Sequence, residues 1–167
     1  MKLAKLFLEQ LENEAASSRR VLERVPDGRN DWKPHPKSMP LGYLAALVAS
    51  MPSWIEMMIT SDEFDITDET SEYKNREVQS TRELVALLEQ SINKARVALQ
   101  NTTDEHLLKP WKLMAHGFLA SENPRYVMIR DAVFSHLAHH RGQLTVYLRL
   151  NEAAVPGIYG PSADEGF

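Results

Sequence analysis

Apolar residues recur at helical spacing through four long stretches of the chain. In the first stretch they alternate at steps of four and three from Ala4 to Val25, which places them on one face of a helix. The second stretch is apolar around much of its circumference, so we expect that helix to be central or buried on two sides. Pro52 should kink it, because proline lacks a backbone N–H. The predicted helices cover residues 2–25, about 38–60, 80–101 and about 125–150.

Polar residues mark where these helices should begin. Ser38 is a good N-cap for the second helix. Ser80-Thr81-Arg82-Glu83 is a capping box, and Thr103 begins a second, short capped turn. Asn123-Pro124 should cap the fourth helix, with the proline in its first turn.

The connections between the helices are predicted to be irregular, because no convincing strand pattern is visible. Residues 61–79 are polar and acidic and lack the spacing of a calcium loop, so we interpret them as a surface loop that could lie over a pocket. Residues 108–122 carry scattered apolar anchors, and the turn-rich tail from residue 155 should pack back on the helices. Four helices and two long connections predict an all-α, single-domain four-helix bundle over residues 1–167.

Composition excludes several classes of function. The 167 residues carry a formal net charge of −4, whereas nucleic-acid binding normally needs a basic face. The absence of cysteine excludes disulfides, thiolate metal sites and cysteine nucleophiles. The N-terminal residues turn acidic with helical periodicity, so we interpret them as mature structure, and no apolar stretch approaches the ~18 residues of a membrane span. We expect a cytoplasmic protein with no nucleic-acid or membrane partner.

The candidate chemistry lies in the fourth helix. His136 and His140 are four residues apart, so their imidazoles point to one side and could hold one metal ion. At 100° per residue both fall within the buried stripe, while His139 lies at its edge and Arg141 faces away. Two buried imidazoles cost free energy unless each has a partner. The pair is therefore either a hydrogen-bonded core feature or a metal site.

A catalytic metal usually takes three protein ligands and keeps one position for water. The facing second helix does not offer an imidazole or a carboxylate toward the pair. His116, in the connection before the fourth helix, and His35, in the loop before the second, are the remaining candidates, although we read both His35 and His106 as exposed. The residues that the second helix does offer are Leu44, Leu47, Val48 and Met51.

Four blocks of sequence, in order, carry a resemblance to a known family. They are Asp31-Trp32-Lys33-Pro34-His35-Pro36-Lys37-Ser38-Met39, Leu41-Gly42-Tyr43-Leu44-Ala45 through Pro52-Ser53-Trp54, His136-Leu137-Ala138-His139-His140-Arg141-Gly142-Gln143-Leu144, and Tyr159-Gly160-Pro161-Ser162-Ala163-Asp164. Over nearly its whole length the chain resembles the DinB family, the damage-inducible, YfiT-like four-helix bundles. The resemblance implies an up-down-down-up topology and a homodimer.

The resemblance also implies a metal site. Members of the family typically bind a divalent metal through one histidine on the second helix and the HxxxH of the last, which corresponds to His136 and His140. The first histidine corresponds to Leu47, so the implied ligand set is incomplete. The family's better-understood members resemble thiol-cofactor-dependent transferases or isomerases, and others are described as metal-dependent hydrolases. Both activities depend on the metal.

Two hypotheses follow from these observations. The first is a dimeric small-molecule-binding or stress-associated protein with a degenerate metal site, in which His136 and His140 are hydrogen-bonded and Leu47 fills the metal's place. The alternative is a divalent-metal-dependent hydrolase or thiol-dependent transferase, with zinc, nickel, iron or manganese on the pair. Its third ligand would come from His116, His35, water or a partner chain. DNA binding has little support in an acidic chain.

Overall fold

Four long helical segments and a small three-stranded sheet form the protein in a computed structural model that describes residues 2–71, 73 and 78–166. The first and third segments are continuous, and the second and fourth are interrupted by turns of different helical geometry. The elements in chain order are α1 (Leu3–Leu22), α2 (Leu41–Ser50), a 3₁₀ turn (Met51–Ser53), α3 (Trp54–Thr60), β1 (Glu63–Asp65), α4 (Thr81–Gln100), α5 (Asp104–Leu108), β2 (Pro110–Ala115), β3 (Phe118–Pro124), α6 (Arg125–Met128), a π-helix (Ile129–Ser135) and α7 (His136–Leu150).

The second helical segment is central, as its apolar circumference predicted. Both α2 and α3 pack against α4, while α7 packs against α2 and α1 packs against α4. Leu41, Leu44 and Ile55 are fully buried. The stretch Leu41–Thr60 has 20 residues and a mean hydropathy of 1.3, which is long and apolar enough for a membrane span by length and composition alone. The expectation that no stretch approaches this length is therefore wrong, although 67% of its apolar window is buried inside the protein, as in a core helix.

Helix starts agree with the sequence signals in part. Ser80 caps α4, where its hydroxyl accepts from the Glu83 N–H at 3.3 Å, and Thr103 caps α5 in the same way. Ser38 is not a cap, because α2 begins only at Leu41 after Pro40. Asn123-Pro124 is the end of β3, and Pro124 occupies the N-cap position of α6 itself. As predicted, the helix is interrupted around Pro52, by the 3₁₀ turn that separates α2 from α3.

The sheet corrects the expectation of an all-α fold with irregular connections. β1 pairs with β2 in parallel and β2 pairs with β3 antiparallel. The two residues joining β2 to β3, His116 and Gly117, both have positive φ, at 52° and 76°, as in the type I′ turns that suit tight hairpins. Along β2, Trp111 is fully buried and Leu113 half-buried, so the alternate residues face the helices. The protein is mostly helical with a small mixed sheet.

The segment predicted to be a surface loop over a pocket begins as strand β1. Residues 72 and 74–77 of that segment lie outside the described residues. The Asp65 carboxylate holds the strand's end in place, because it accepts from the Thr67 N–H at 2.8 Å and from the Gly117 N–H at 2.8 Å. The Thr67 hydroxyl also donates to this carboxylate at 2.5 Å, and this bond, followed by those from the Gly117 and Thr67 N–H groups, lowers the pKa of Asp65 to about 2. The segment is therefore fastened to the β2–β3 turn.

Buried Arg125 joins the sheet to the helices. Its guanidinium donates to the carbonyl oxygens of Met58 at 2.9 Å and Pro110 at 2.7 Å, and it also bonds the Ser61 carbonyl and pairs with Asp62. Since Met58 lies in the last turn of α3 and Pro110 begins β2, one side chain fixes the position of the sheet against α3.

Arg141 is buried, which corrects the expectation that it faces away from the core. It is 1% exposed, pairs with the Glu14 carboxylate at 2.5 Å and donates to the Tyr159 hydroxyl at 2.5 Å. The tail covers it, as predicted for that segment, and is also fastened where Arg20 and Arg24 pair with Glu165. Arg20, near the end of α1, and Arg24, just after it, therefore bind the tail.

Candidate functional site

His136 and His140 meet as the sequence spacing predicted, at the start of α7. Their Nε2 atoms are 2.7 Å apart, and the ring centroids are separated by 4.4 Å. His140 is 8% exposed and His136 is half-buried. His139 is exposed on the same helix, as expected for a residue at the edge of the buried stripe. The two imidazoles therefore form one polar site at the start of α7.

The nitrogens of the two rings are committed to partners. His140 Nδ1 lies 2.9 Å from Gln143 Oε1, and because an amide oxygen only accepts, Nδ1 carries the proton of the neutral ring. His140 Nε2 therefore accepts the 2.7 Å hydrogen bond that joins it to His136 Nε2, and His136 donates it. The Ala132 backbone favours the protonated form of His136.

The pKa of each histidine is lowered. Burial is the largest cause for both rings, and the neighbouring His140 lowers the pKa of His136 further. The bond to Gln143 opposes the shift at His140, and the Ala132 backbone opposes it at His136. At neutral pH both rings are therefore in the neutral form that has a lone pair to offer.

The described residues do not complete a catalytic metal centre around this pair. Within them, three His, Asp or Glu side chains do not come together in a group that could hold a metal ion. Leu47, the position that the resemblance assigns to a third ligand, lies in the same cavity wall as His136 and offers only methyl groups. Zinc bonds of about 2.0–2.1 Å at a tetrahedral angle would need the nitrogens about 3.3 Å apart. The pair therefore supplies only two of the three protein ligands of such a centre, and its Nε2 atoms, 2.7 Å apart, are closer together than tetrahedral zinc requires.

The other histidines lie apart from the pair. His35 is exposed in the loop before α2, as expected, and its Nδ1 accepts from the Lys37 N–H at 3.2 Å. His116 occupies the tip of the β2–β3 turn, so the structure does not bring these two candidates to the pair. His106 is half-buried rather than exposed, with Nε2 2.8 Å from the Ile59 carbonyl oxygen. It links α5 to α3.

A cavity of about 660 Å³ opens beside His136. The helices contribute Leu47 and Trp54, and the Trp54 and His136 ring centroids are 6.1 Å apart. The sheet side forms the opposite wall. The sequence did not predict this wall, apart from the suggestion that the segment from residue 61 could lie over a pocket. Those sheet-side residues are Phe64, Ile66, Tyr73, Trp111 and Leu113.

The π-helix before α7 shapes this wall. Met128, Ala132 and His136 all line the cavity, and the π-helix runs through Ile129–Ser135 between them. At its end the His136 N–H donates to the Val133 carbonyl oxygen three residues back, and the Ala132 backbone favours the protonated form of the His136 ring. Short π segments occur frequently at functional sites. Sequence periodicity gave no signal for it, and Gln143 was likewise not singled out.

The sequence pattern that defines the DinB family matches residues 1–166. The chain belongs to the DinB family. Two solved structures share its fold: a DinB-like protein, YjoA, from Bacillus subtilis, with a TM-score of 0.66 and 18% identity over 88% of this chain and 92% of that one, and a DinB-like protein from Bacillus cereus, with a TM-score of 0.71 and 22% identity over 92% of this chain and 95% of that one.

A curated relative adds a local likeness. The uncharacterized protein YrdA of Bacillus subtilis is 39% identical over 49 residues, which is 29% of this chain and 29% of that protein. The match spans less than a third of that relative's length. The match over residues 1–166 shows the family. The activity has to be argued from the chemistry of the site.

Proposed function

We propose that this DinB family protein binds a small, largely apolar molecule in the cavity beside His136 and that its metal site is degenerate. The observation that carries the proposal is the cavity itself. Its volume of about 660 Å³ lies within the range of about 300–1,000 Å³ typical of small-molecule sites.

The chemistry of the wall supports this proposal. Aromatic and methionine side chains predominate, and methionine adapts its shape to different apolar ligands. Such a wall favours burial of apolar ligand surface, at about 25 cal/mol per Å². A few polar groups set the orientation in sites of this kind, and the imidazole of His136 is such a group here.

The degenerate metal site accounts for the histidine pair without catalysis. His140 is satisfied by Gln143 and His136 by the Ala132 backbone, so both rings have hydrogen-bond partners. With Leu47 at the wall, the residues that the structure describes do not supply the third protein ligand of a catalytic metal centre. In this account His136 contributes a polar contact to the ligand, and Leu47 contributes apolar surface.

The alternative is a metal-dependent hydrolase or thiol-dependent transferase. It is favoured by the proximity of the two Nε2 atoms, which are 2.7 Å apart. If protein purified without added chelator or metal contained stoichiometric zinc, nickel, iron or manganese, and His136→Ala removed it, the alternative would replace the proposal.

Filling the cavity tests the proposed function. Indole, a neutral ring that fits the volume, is titrated into the protein by isothermal calorimetry. Leu47→Trp should abolish binding, because the larger side chain occupies the cavity, whereas Val146→Trp, at a position 57% exposed on α7, should leave it unchanged. If Leu47→Trp lowers the melting temperature markedly, Leu113→Trp fills the same space from the sheet. Saturable indole binding that neither variant weakens would refute the site.

The finer expectations stay predictions. We propose an up-down-down-up bundle topology, a homodimer and a cytoplasmic location, which the family resemblance and the composition support. A stress-associated role would follow if the bound molecule proved to be a damaging agent or a signal.

A further inference from the structure

We infer that the ligand of this cavity is elongated and apolar, and that part of it lies outside the cavity on a shelf formed by Ile66, Ala115 and Phe118 of the sheet. The inference rests on the proposed function and adds to it a chemical class of ligand and Phe118 as a residue that selects for length. Molecules with an unbranched alkyl chain, such as long-chain alcohols, belong to that class, whereas a compact ring fills only the cavity.

The shelf continues the wall of the cavity. Phe64 and Leu113 are partners in the β1–β2 ladder, and both line the cavity. The ladder continues one residue past β1, because the Ile66 N–H donates to the Met114 carbonyl oxygen at 3.0 Å. Side chains two residues apart on a strand point to the same face, so Ile66 and Ala115 follow on the face toward the cavity. Ile66 itself lines the cavity.

Phe118 extends the shelf to the edge of the sheet. It is the partner of Ala115 in the β2–β3 ladder, and directly opposite residues share a face. Neighbouring strands are about 4.8 Å apart, so a shelf that crosses three strands reaches about 10 Å from Ile66 to Phe118. The exposed fractions of these two side chains are 54% and 77%. The apolar surface therefore begins inside the cavity and ends in solvent.

The size of the shelf argues for a small molecule rather than a protein partner. A phenylalanine side chain buries about 150–250 Å², and the other two side chains are smaller. The shelf therefore offers much less than the surface of about 800 Å² per partner in a stable protein interface. Its connection to the cavity through Ile66 instead lets one molecule contact both. A compact ligand leaves the shelf in water, whereas a chain long enough to leave the cavity covers it.

The contribution of the shelf to affinity follows from the methylene groups it covers. Each methylene that is fully buried should tighten binding about fourfold. On the open shelf one side of the chain stays in water, so we expect about twofold per methylene. Contact of two or three methylenes with Phe118 should therefore contribute about four- to eightfold. A chain that ends inside the cavity gains nothing from Phe118.

A series of 1-alkanols tests the inference by calorimetric titration, with 1-hexanol, 1-octanol and 1-decanol measured beside indole. Affinity should still rise from 1-octanol to 1-decanol. Phe118→Ser should weaken binding of 1-decanol by about four- to eightfold and leave indole unchanged. Leu119→Ser is the matched control: Leu119 is 54% exposed on the same hairpin, but as the partner of Met114 it lies on the other face of the sheet. This control should leave every affinity unchanged.

Melting temperatures check that the fold is kept, and if Phe118→Ser lowers the melting temperature, Phe118→Thr, with a side chain that suits a strand, replaces it. If 1-decanol binds no more tightly than 1-octanol, or if the variant at Phe118 weakens it no more than Leu119→Ser does, the inference is wrong, although binding of indole still supports the proposed function. If the variant at Phe118 instead dissociates a dimer in sedimentation and leaves the series unchanged, the shelf is a protein interface and the inference is also wrong. If neither indole nor any alkanol binds, the proposed function fails together with the inference.

Discussion

Leu47→His adds a third imidazole at the position that the resemblance assigns to a metal ligand and should convert the pair into a three-ligand metal site. Leu47 and His136 line the same cavity, and Leu47 is only half-buried, so the substitution is accommodated at the cavity surface. The rings of His136 and His140 would need to separate from 2.7 Å to about 3.3 Å between their Nε2 atoms for tetrahedral zinc. The cavity beside them leaves room for that movement.

The expected gain in affinity follows from the ligand count. Loss of a group that merely orients a ligand costs about 10–100-fold in metal affinity, so adding a direct ligand should gain at least about 100-fold. At saturating zinc this corresponds to about 2.7 kcal/mol of extra stabilisation. For a protein of this length, about 2–4 °C per kcal/mol predicts a rise in melting temperature of about 5–10 °C beyond that of the parent.

Competition with a chromophoric zinc chelator gives the affinity, and differential scanning fluorimetry with and without zinc gives the melting temperature. Val97→His, on exposed α4 surface, controls for a histidine added elsewhere. If Leu47→His binds zinc no more tightly than the Val97→His variant, Leu47 does not occupy a third-ligand position. If the parent already binds zinc as tightly as Leu47→His, its site is not degenerate.

Three further predictions concern stability. The pKa values of His136 and His140 are lowered in the folded protein, so the unfolded chain binds more protons than the folded one below about pH 6.5. The free energy of unfolding, measured by urea titration, should therefore fall as the pH drops from about 6.5 toward 5. His140→Asn should make this decrease smaller. Arg141→Met should cost about 3–5 kcal/mol in the same assay, because it strands the Glu14 carboxylate, and adding Glu14→Met should recover most of this; equal costs for the single and double variants would contradict the pairing. The Thr67 and Gly117 amides donate to the Asp65 carboxylate, so Asp65→Asn should accelerate their hydrogen exchange. Unchanged exchange rates at these two amides would contradict this role of Asp65.

Local periodicity was enough to predict much of the helical fold. The stripes of α1 and α4 and the caps at Ser80 and Thr103 depend on residues three or four apart, which a sequence displays directly. The spacing of His136 and His140 belongs to the same class of signal. These features are local, so the sequence could show them without knowledge of distant partners.

The sheet could not be predicted as easily. β1 is three residues long and pairs with β2 about fifty residues later, so no neighbouring residue signals it. β2 does alternate, with Trp111 and Leu113 facing inward, and a two-residue turn with Gly117 follows. That combination was a usable hairpin signal, but His116 in place of the usual Asn or Asp weakened it.

Arg141 was misplaced because its partners are distant. The helix is buried over a wider arc than one stripe, since Leu137 and Leu148 are buried as well as Leu144. The buried guanidinium is stabilised by the Glu14 carboxylate and by the hydroxyl of Tyr159 in the tail. Neither residue is close to Arg141 in sequence. The cavity is nonlocal for the same reason, because its wall combines α2, α3, the sheet and the π-helix.

The central claim is that the cavity binds its ligand without a metal, and one calorimetric titration tests it most directly. Indole is titrated into protein that has been dialysed against chelator and shown by elemental analysis to be free of zinc, nickel, iron and manganese. We predict saturable binding of one indole per chain, with the same affinity after zinc is added at one equivalent. Binding that appears only after the metal is restored would contradict the claim and favour a metalloenzyme.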